Sequence, residues 1–175
     1  MTMSPQTRMF ALTAHVVFSV GLLGAIAGFL ALAITGLASP DIQTTSAAYI
    51  GMDLTARFVI VPLSFASLLT GTVQSLGTAW GLFRHYWVLA KLLVTAFAVA
   101  ILLLQMKSIG YMASVAAERA LSSGELFEER ISLVVHAGGG LLVLLVPLAL
   151  SIYKPRGRTR YGMRKEQEQL LPARP

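Results

Sequence analysis

The chain has 175 residues, of which 55% are hydrophobic and 13% are charged, and its mean hydropathy is +0.70. This hydrophobic share and this mean hydropathy lie well above those of soluble domains and argue against a water-soluble globular protein. Fourteen Lys and Arg against eight Asp and Glu give a net charge of +6. Because the chain has no cysteine, disulfides, thiolate metal ligands and cysteine nucleophiles are excluded.

Four long apolar runs predict four transmembrane helices, because a helix needs about 20 mostly apolar residues to cross a hydrocarbon core of about 30 Å. The first run follows Arg8 and is too long for the apolar region of a cleaved signal peptide, which has about 7–15 residues. The third run is interrupted by one charge, Lys91. We place the spans at about 10–37, 58–83, 86–106 and 131–153, in a transmembrane domain over 1–153 followed by a basic tail over 154–175.

Short connections join the predicted spans. The first outer connection covers 38–52. The second, 107–130, contains an amphipathic pattern over 111–121 that predicts a short helix ending near Ser122-Ser123-Gly124, either along the membrane surface or over the mouth of the bundle. A tight inner turn at 81–86 makes the second and third spans antiparallel neighbours. The tail is expected to be flexible and to associate with anionic lipid headgroups.

The distribution of basic residues predicts the orientation, since Lys and Arg in short flanking segments stay cytoplasmic. We therefore expect an all-α integral membrane protein, an antiparallel four-helix bundle with its N- and C-termini cytoplasmic. The tail alone has seven bases and two acids, so the high charge reports topology rather than nucleic-acid binding. Nine basic residues then lie inside: Arg8, Arg84, Lys154, Arg156, Arg158, Arg160, Arg164, Lys165 and Arg174. Four lie outside: Arg57, Lys107, Arg119 and Arg130.

Small residues at four-residue spacing indicate close helix contacts in three spans. The glycine run that follows His136 has two interpretations: close packing, or room for a flat cofactor beside the histidine. Pro62 and Pro147 are expected to kink their helices. The small residues are Gly24 and Gly28 in the first span, Ser67, Gly71 and Ser75 in the second, and Gly138, Gly139 and Gly140 in the fourth.

Ionisable residues at membrane depth cost about 2.5–3.5 kcal/mol even on the most permissive scale, so each is a candidate functional residue. His15 and Lys91 each lie about five residues past the inner edge of their spans, roughly 7–8 Å deep. Their helices run the same way, so both side chains are expected in one interior space, within about 10 Å of one another. His136 lies roughly 15 Å from His15 along the membrane normal, so one iron cannot bridge the two histidines. Structural roles remain open for all three residues.

Three segments resemble an uncharacterised family of small bacterial four-span membrane proteins. They are Ala14-His15, the stretch from Trp80 to Leu92, and His136-Ala137-Gly138-Gly139-Gly140 leading to Tyr153-Lys154-Pro155-Arg156-Gly157. More remotely, the pattern is similar to HemJ-type membrane protoporphyrinogen oxidases and CopD copper-resistance membrane proteins. The resemblance implies a bacterial cytoplasmic membrane. In the HemJ type, an early-helix histidine and a lysine beginning the third helix are linked to haem, and His15 and Lys91 match those positions.

The leading functional hypothesis is binding of haem b or another tetrapyrrole. His15 would be an axial ligand, and Lys91 would pair with a propionate or serve as the second ligand.

Two alternatives come from other functional classes. One is copper handling at the outer side, with His136 as a metal ligand, since imidazole and thioether groups suit Cu(I). The other is a structural or accessory subunit that forms a homo-oligomer or joins a membrane complex through its small-residue faces. The thioethers nearest the outer edge are Met52, Met106 and Met112.

Overall fold

The computed structural model describes residues 3–77, 82–118, 126–153, 157 and 159–164. Its longer helices are α1 (Pro5–Ala38), α2 (Ile42–Thr55), α3 (Val61–Gly77), α4 (Tyr86–Glu118) and α5 (Phe127–Tyr153). A π-helical segment, Ala56–Ile60, joins α2 to α3, so the three elements form one continuous helix over Ile42–Gly77. The described residues contain no strand of a sheet, which confirms the all-α class.

Four of these helices are long and apolar enough to cross a membrane: α1, the continuous helix Ile42–Gly77, α4 and α5. Even the shortest, α5 with 27 residues, is about 40 Å long at 1.5 Å per residue, against a hydrocarbon core of about 30 Å. Large apolar side chains such as Leu69, Leu104 and Leu142 point away from the protein. The chain therefore has the character of a small multi-pass membrane protein.

The second long helix begins earlier than the sequence analysis expected. Residues 38–52 were predicted to form a connection, but α2 begins at Ile42 because Asp41 accepts hydrogen bonds from the backbone and hydroxyl of Thr44. Asp53 and Arg57 lie inside the helix and form an ion pair at 2.8 Å. These opposite charges, four residues apart, therefore lie on one face of the helix and stabilise it.

The helix α4 also runs further than its predicted span. It continues past Met106, where a connection was expected, and stays helical to Glu118. The predicted helix is confirmed over 111–118, but it is an extension of α4 and not a separate helix. Its predicted end near Ser122-Ser123-Gly124 lies outside the described residues.

Within the described residues, each long helix packs mainly against two of the others. The continuous helix and α5 both contact α1, and both also contact α4. The buried core concentrates where α2 lies between α1 and α4. Here the Tyr49 ring abuts Gly36, where a Cβ would come within 2.7 Å of the ring, so glycine is required for this approach. The core comprises Leu22, Phe29, Ala33, Tyr49, Met52, Ala56, Ile60, Ile109, Met112, Val115, Ala116, Leu133 and Ala137.

Part of the C-terminal tail packs on the turn that precedes α4. The backbone N–H of Thr159 donates to the Arg84 carbonyl at 2.9 Å, and that of Tyr86 donates to Gly157 at 3.4 Å. Gly162 lies so close to Arg84 that a Cβ would come within 2.5 Å of its carbonyl oxygen. Residues 157 and 159–164 thus dock on the protein, which differs from the free tail that was expected. The other tail residues and Gly81 of the predicted inner turn lie outside the described residues.

Candidate functional site

His15 is held against α3 by a hydrogen bond and by a close ring contact. Its Nδ1 lies 3.2 Å from the Ser67 carbonyl oxygen and 3.2 Å from the Thr70 hydroxyl. A carbonyl only accepts, so Nδ1 carries the proton and Nε2 keeps its lone pair. The ring also abuts Gly71, where a Cβ would lie 2.9 Å from Cε1. His15 is therefore oriented with Nε2 able to accept a hydrogen bond or to ligate a metal.

Lys91 reaches toward α5. Its Nζ donates to the Ser151 hydroxyl at 2.9 Å, and that hydroxyl donates in turn to the Pro147 carbonyl at 2.8 Å. Nζ also lies 5.1 Å from the centroid of the Trp87 ring, within the range of a cation–π interaction. The charge of Lys91 is close enough to His15 for the two side chains to interact electrostatically. The structure thus brings these two predicted site residues into one region of the bundle.

Two sets of hydrogen-bonded polar side chains, one between α1 and α3 and one between α4 and α5, lie in this region, and together we call them the polar layer. The hydroxyls of Ser19 and Ser67 are 2.8 Å apart and link α1 to α3 beside His15. Polar groups inside a membrane need partners within the protein, and these residues supply them to one another. The polar layer consists of His15, Ser19, Ser67, Thr70, Lys91 and Ser151.

His136 lies in a different place, on α5, with its side chain exposed. Its Nδ1 donates to the Ser132 carbonyl, one helical turn away, at 2.7 Å. Its Nε2 therefore also carries a lone pair. The two histidines share this tautomer, but His136 contributes to the wall of a cavity whose lining includes neither His15 nor Lys91.

The glycines beside His136 do not make the close helix contact that was one interpretation of them. A Cβ built at Gly138, Gly139 or Gly140 meets no described atom within 4 Å beyond its own helical turn. The same holds for Gly24 and Gly28, whereas a Cβ at Gly71 would clash with His15. Of these predicted packing glycines, only Gly71 serves as a contact within the described residues.

A cavity of about 240 Å³ adjoins the polar layer and is lined by all four long helices. Most of its wall is aliphatic or aromatic, with Leu22 and Phe29 of α1 and Leu133 of α5 among its residues. Its polar lining side chains are Ser64, Thr95, Gln105 and His136. Ile60 contributes from the π-helical segment, a form of helix that often occurs at functional sites. Phe97 and Val135 are 63% and 61% exposed, so the cavity reaches the face that lipid would cover.

Sequence reasoning missed Gln105. The third span was interpreted as apolar apart from Lys91, yet the amide of Gln105 also lies in that run and lines the cavity. Its amide makes no side-chain hydrogen bond with the described residues. The sequence did contain a signal for this residue, because an amide within an apolar helix is costly without a hydrogen-bond partner.

The methionines of the copper alternative serve mainly as core residues. Met52 and Met112 are each 1% exposed and belong to one buried cluster, against which Met106 packs. Flexible thioether side chains fill irregular core gaps well, which accounts for this position. No group of three or more His, Asp or Glu side chains suited to a metal ion occurs in the described part of the chain.

Arg130, which the predicted topology places on the outer side of the membrane, is only 3% exposed. Its guanidinium lies 5.8 Å from the centroid of the Tyr49 ring, near the start of α5. A buried arginine stacked on an aromatic ring ties α5 to α2 at that end of the bundle.

Comparisons with protein-family models, with curated proteins and with solved structures give no match for this chain. The resemblance to HemJ-type and CopD proteins therefore remains a prediction from the sequence.

Proposed function

We propose that this chain is an antiparallel four-helix protein of a bacterial cytoplasmic membrane that binds haem b or another tetrapyrrole at the polar layer. The observation that carries the proposal is the position of His15, whose Nδ1 is anchored to Ser67 while Nε2 keeps its lone pair beside the charge of Lys91. An imidazole fixed through its other nitrogen is the usual form of a metal-ligating histidine.

The donor set at the polar layer fits a tetrapyrrole that carries carboxylates. His15 offers one neutral imidazole nitrogen, and Lys91 offers a cation whose hydrogen-bond acceptor Ser151 is itself satisfied by Pro147. Lys91 can therefore exchange the serine for a carboxylate without leaving the hydroxyl unpaired. In this proposal His15 binds the central metal and Lys91 orients one propionate.

Haem iron, when bound, would supply one-electron redox chemistry. The protein would contribute the orientation of His15 through Ser67 and Thr70, and a positive charge near the ring from Lys91. The charge of Lys91 favours an anionic porphyrin over an uncharged one.

The direct test is a haem titration of the purified protein, followed by the Soret absorption band. Wild type is expected to bind haem with a ligated spectrum, and His15→Ala should abolish that spectrum. His136→Ala is the matched control, since it removes an imidazole of the same tautomer from another place, and it should bind as wild type. A His15→Ala protein with an unchanged spectrum would refute the proposal.

A second comparison isolates Lys91. Lys91→Met keeps a similar length without the charge, and we expect it to weaken haem binding about tenfold, or ~1.4 kcal/mol. With the dimethyl ester of haem, which has no carboxylates, wild type and Lys91→Met should bind equally. An equal loss for both porphyrins would mean that Lys91 does not act on a propionate.

The proposed topology places both termini and the tail in the cytoplasm, with the basic tail against anionic lipid headgroups. Hydrogen bonds between the beginning of α4 and the end of α5, through Lys91 and Ser151, support antiparallel neighbours. Reporter fusions after Arg84 and after Pro175 should indicate the cytoplasm, and a fusion near Ser123 the opposite side. A cytoplasmic reporter at Ser123 would invert the orientation.

A further inference from the structure

The proposed function does not use the cavity whose wall includes His136, and the size of this cavity limits what it can hold. Small-molecule sites usually have about 300–1,000 Å³, and a water molecule takes about 30 Å³. At about 240 Å³ the cavity is too small for a macrocycle but sufficient for one substituted ring. It is therefore not a second tetrapyrrole site.

One wall of the cavity is bare helix backbone. Gly139 and Gly140 line it, and a Cβ at either position would enter open space. Opposite lie the aromatic and aliphatic side chains of α1 and α4, such as Phe29 and Leu102. A flat, largely apolar ring matches a slot between a bare helix face and apolar side chains.

Two polar groups in the cavity wall have no hydrogen-bond partner among the described residues. Nε2 of His136 keeps a lone pair, because Nδ1 donates to Ser132. The Gln105 amide, which both donates and accepts, forms no side-chain hydrogen bond with the described residues. In apolar surroundings such groups favour a ligand that satisfies them. The complementary ligand has one hydroxyl and one further oxygen on a flat ring.

The cavity reaches the lipid-facing surface at Phe97 and Val135, so the ligand is one that dissolves in the membrane. We infer that the cavity binds the ring of a membrane quinol. The quinol hydroxyl donates to His136 Nε2, the Gln105 amide donates to an oxygen of the ring, and the isoprenoid tail leaves between Phe97 and Val135. This site is separate from the polar layer and does not depend on haem binding.

The test measures binding of a decyl-substituted benzoquinol, kept reduced under nitrogen, by calorimetry, with the purified full-length protein in phosphatidylcholine nanodiscs. Saturable one-to-one binding is expected for wild type. Gly139→Leu should abolish it, because leucine fills the slot. Gly28→Leu is the matched control: Gly28 also faces open space but does not line the cavity, so this variant should bind as wild type.

His136→Ala and Gln105→Leu test the polar contacts, and each should weaken binding at least tenfold while the circular dichroism spectrum stays unchanged. His136 is exposed, so its removal leaves folding intact and keeps the test decisive if Gly139→Leu fails to fold. Decanol, which has the alkyl tail without the ring, should not compete. Absence of saturable binding, full competition by decanol, or wild-type affinity in His136→Ala would each overturn the inference, and competition by decanol would indicate a site for acyl chains only.

Discussion

The polar layer and the cavity lie in one bundle but differ in how closely they are packed and in whether their polar groups have hydrogen-bond partners. In the polar layer, hydrogen bonds link helices through pairs such as Lys91 with Ser151 and Ser19 with Ser67, and the His15 ring fills the space next to Gly71. In the cavity there is space, but Gln105 and Nε2 of His136 have no described partner. The polar layer thus offers oriented donors that a ligand must displace or join, and the cavity offers a preformed slot.

The largest expected effect tests whether the buried methionines form a third site beside these two. Met52→Ala should lower the free energy of unfolding by about 2–5 kcal/mol, because it leaves a void in the core. Met52→Leu conserves volume and should cost less than about 1.5 kcal/mol. Unfolding in mixed micelles, followed by circular dichroism, measures both.

Copper content is the companion measurement, made on cells grown with copper. Wild type, Met52→Leu and His136→Ala should all retain only background copper, since a packing role predicts no bound ion. Bound copper in wild type that disappears in His136→Ala would establish the copper alternative and add a third site to the comparison.

A matched pair of glycine substitutions sharpens the contrast between filled and open space. Gly71→Ala places a Cβ 2.9 Å from His15 and should destabilise the protein by about 1–3 kcal/mol. Gly139→Ala meets no described atom and should leave stability unchanged or raise it by up to about 1 kcal/mol, through helix propensity. Equal losses in the two variants would mean that the glycine face of α5 is packed.

Sequence reasoning located the four apolar helices because the composition of a membrane span is a local property. Two of these helices extend beyond the spans predicted for them, into segments that carry charges. Asp53 and Arg57 neutralise one another within the helix, and Lys107 lies inside α4. Whether a charge ends a helix depends on its partner and depth, which composition does not specify.

The candidate site was only partly accessible from the sequence. The sequence pointed to His15 and Lys91 as ionisable residues at membrane depth, but it did not show that Ser67, Thr70 and Ser151 would be their hydrogen-bond partners. The role of a glycine depends on which face meets a neighbour, so spacing did not distinguish Gly71 from Gly139. Residues of four helices combine to form the cavity, and no motif in a single segment encodes it.

The smallest expected effect concerns the start of α2, away from both regions. The hydroxyl and the backbone N–H of Thr44 lower the pKa of Asp41. A carboxylate whose pKa is lower in the folded state stabilises above its unfolded pKa, and this contribution is lost as the pH falls through the lowered value. Protection of the Thr44 amide from hydrogen exchange should therefore decline in acid.

Two substitutions provide the controls for this cap. Asp41→Asn keeps an acceptor oxygen that does not titrate, so the protection of the Thr44 amide should no longer depend on acid. Asp41→Ala should reduce that protection at every pH. Neither change should alter the binding of haem or of the quinol. A change in the affinity for either ligand would mean that the cap is coupled to the bundle interior.

The most direct test of the account is a crossed binding experiment with two variants and two ligands. Haem and the decyl-substituted benzoquinol are titrated separately into His15→Ala and His136→Ala. We expect His15→Ala to lose haem ligation and keep the quinol, and His136→Ala to keep haem and lose most of its quinol affinity. Loss of both ligands in one variant, with retention of both in the other, would contradict the separation of the polar layer from the cavity.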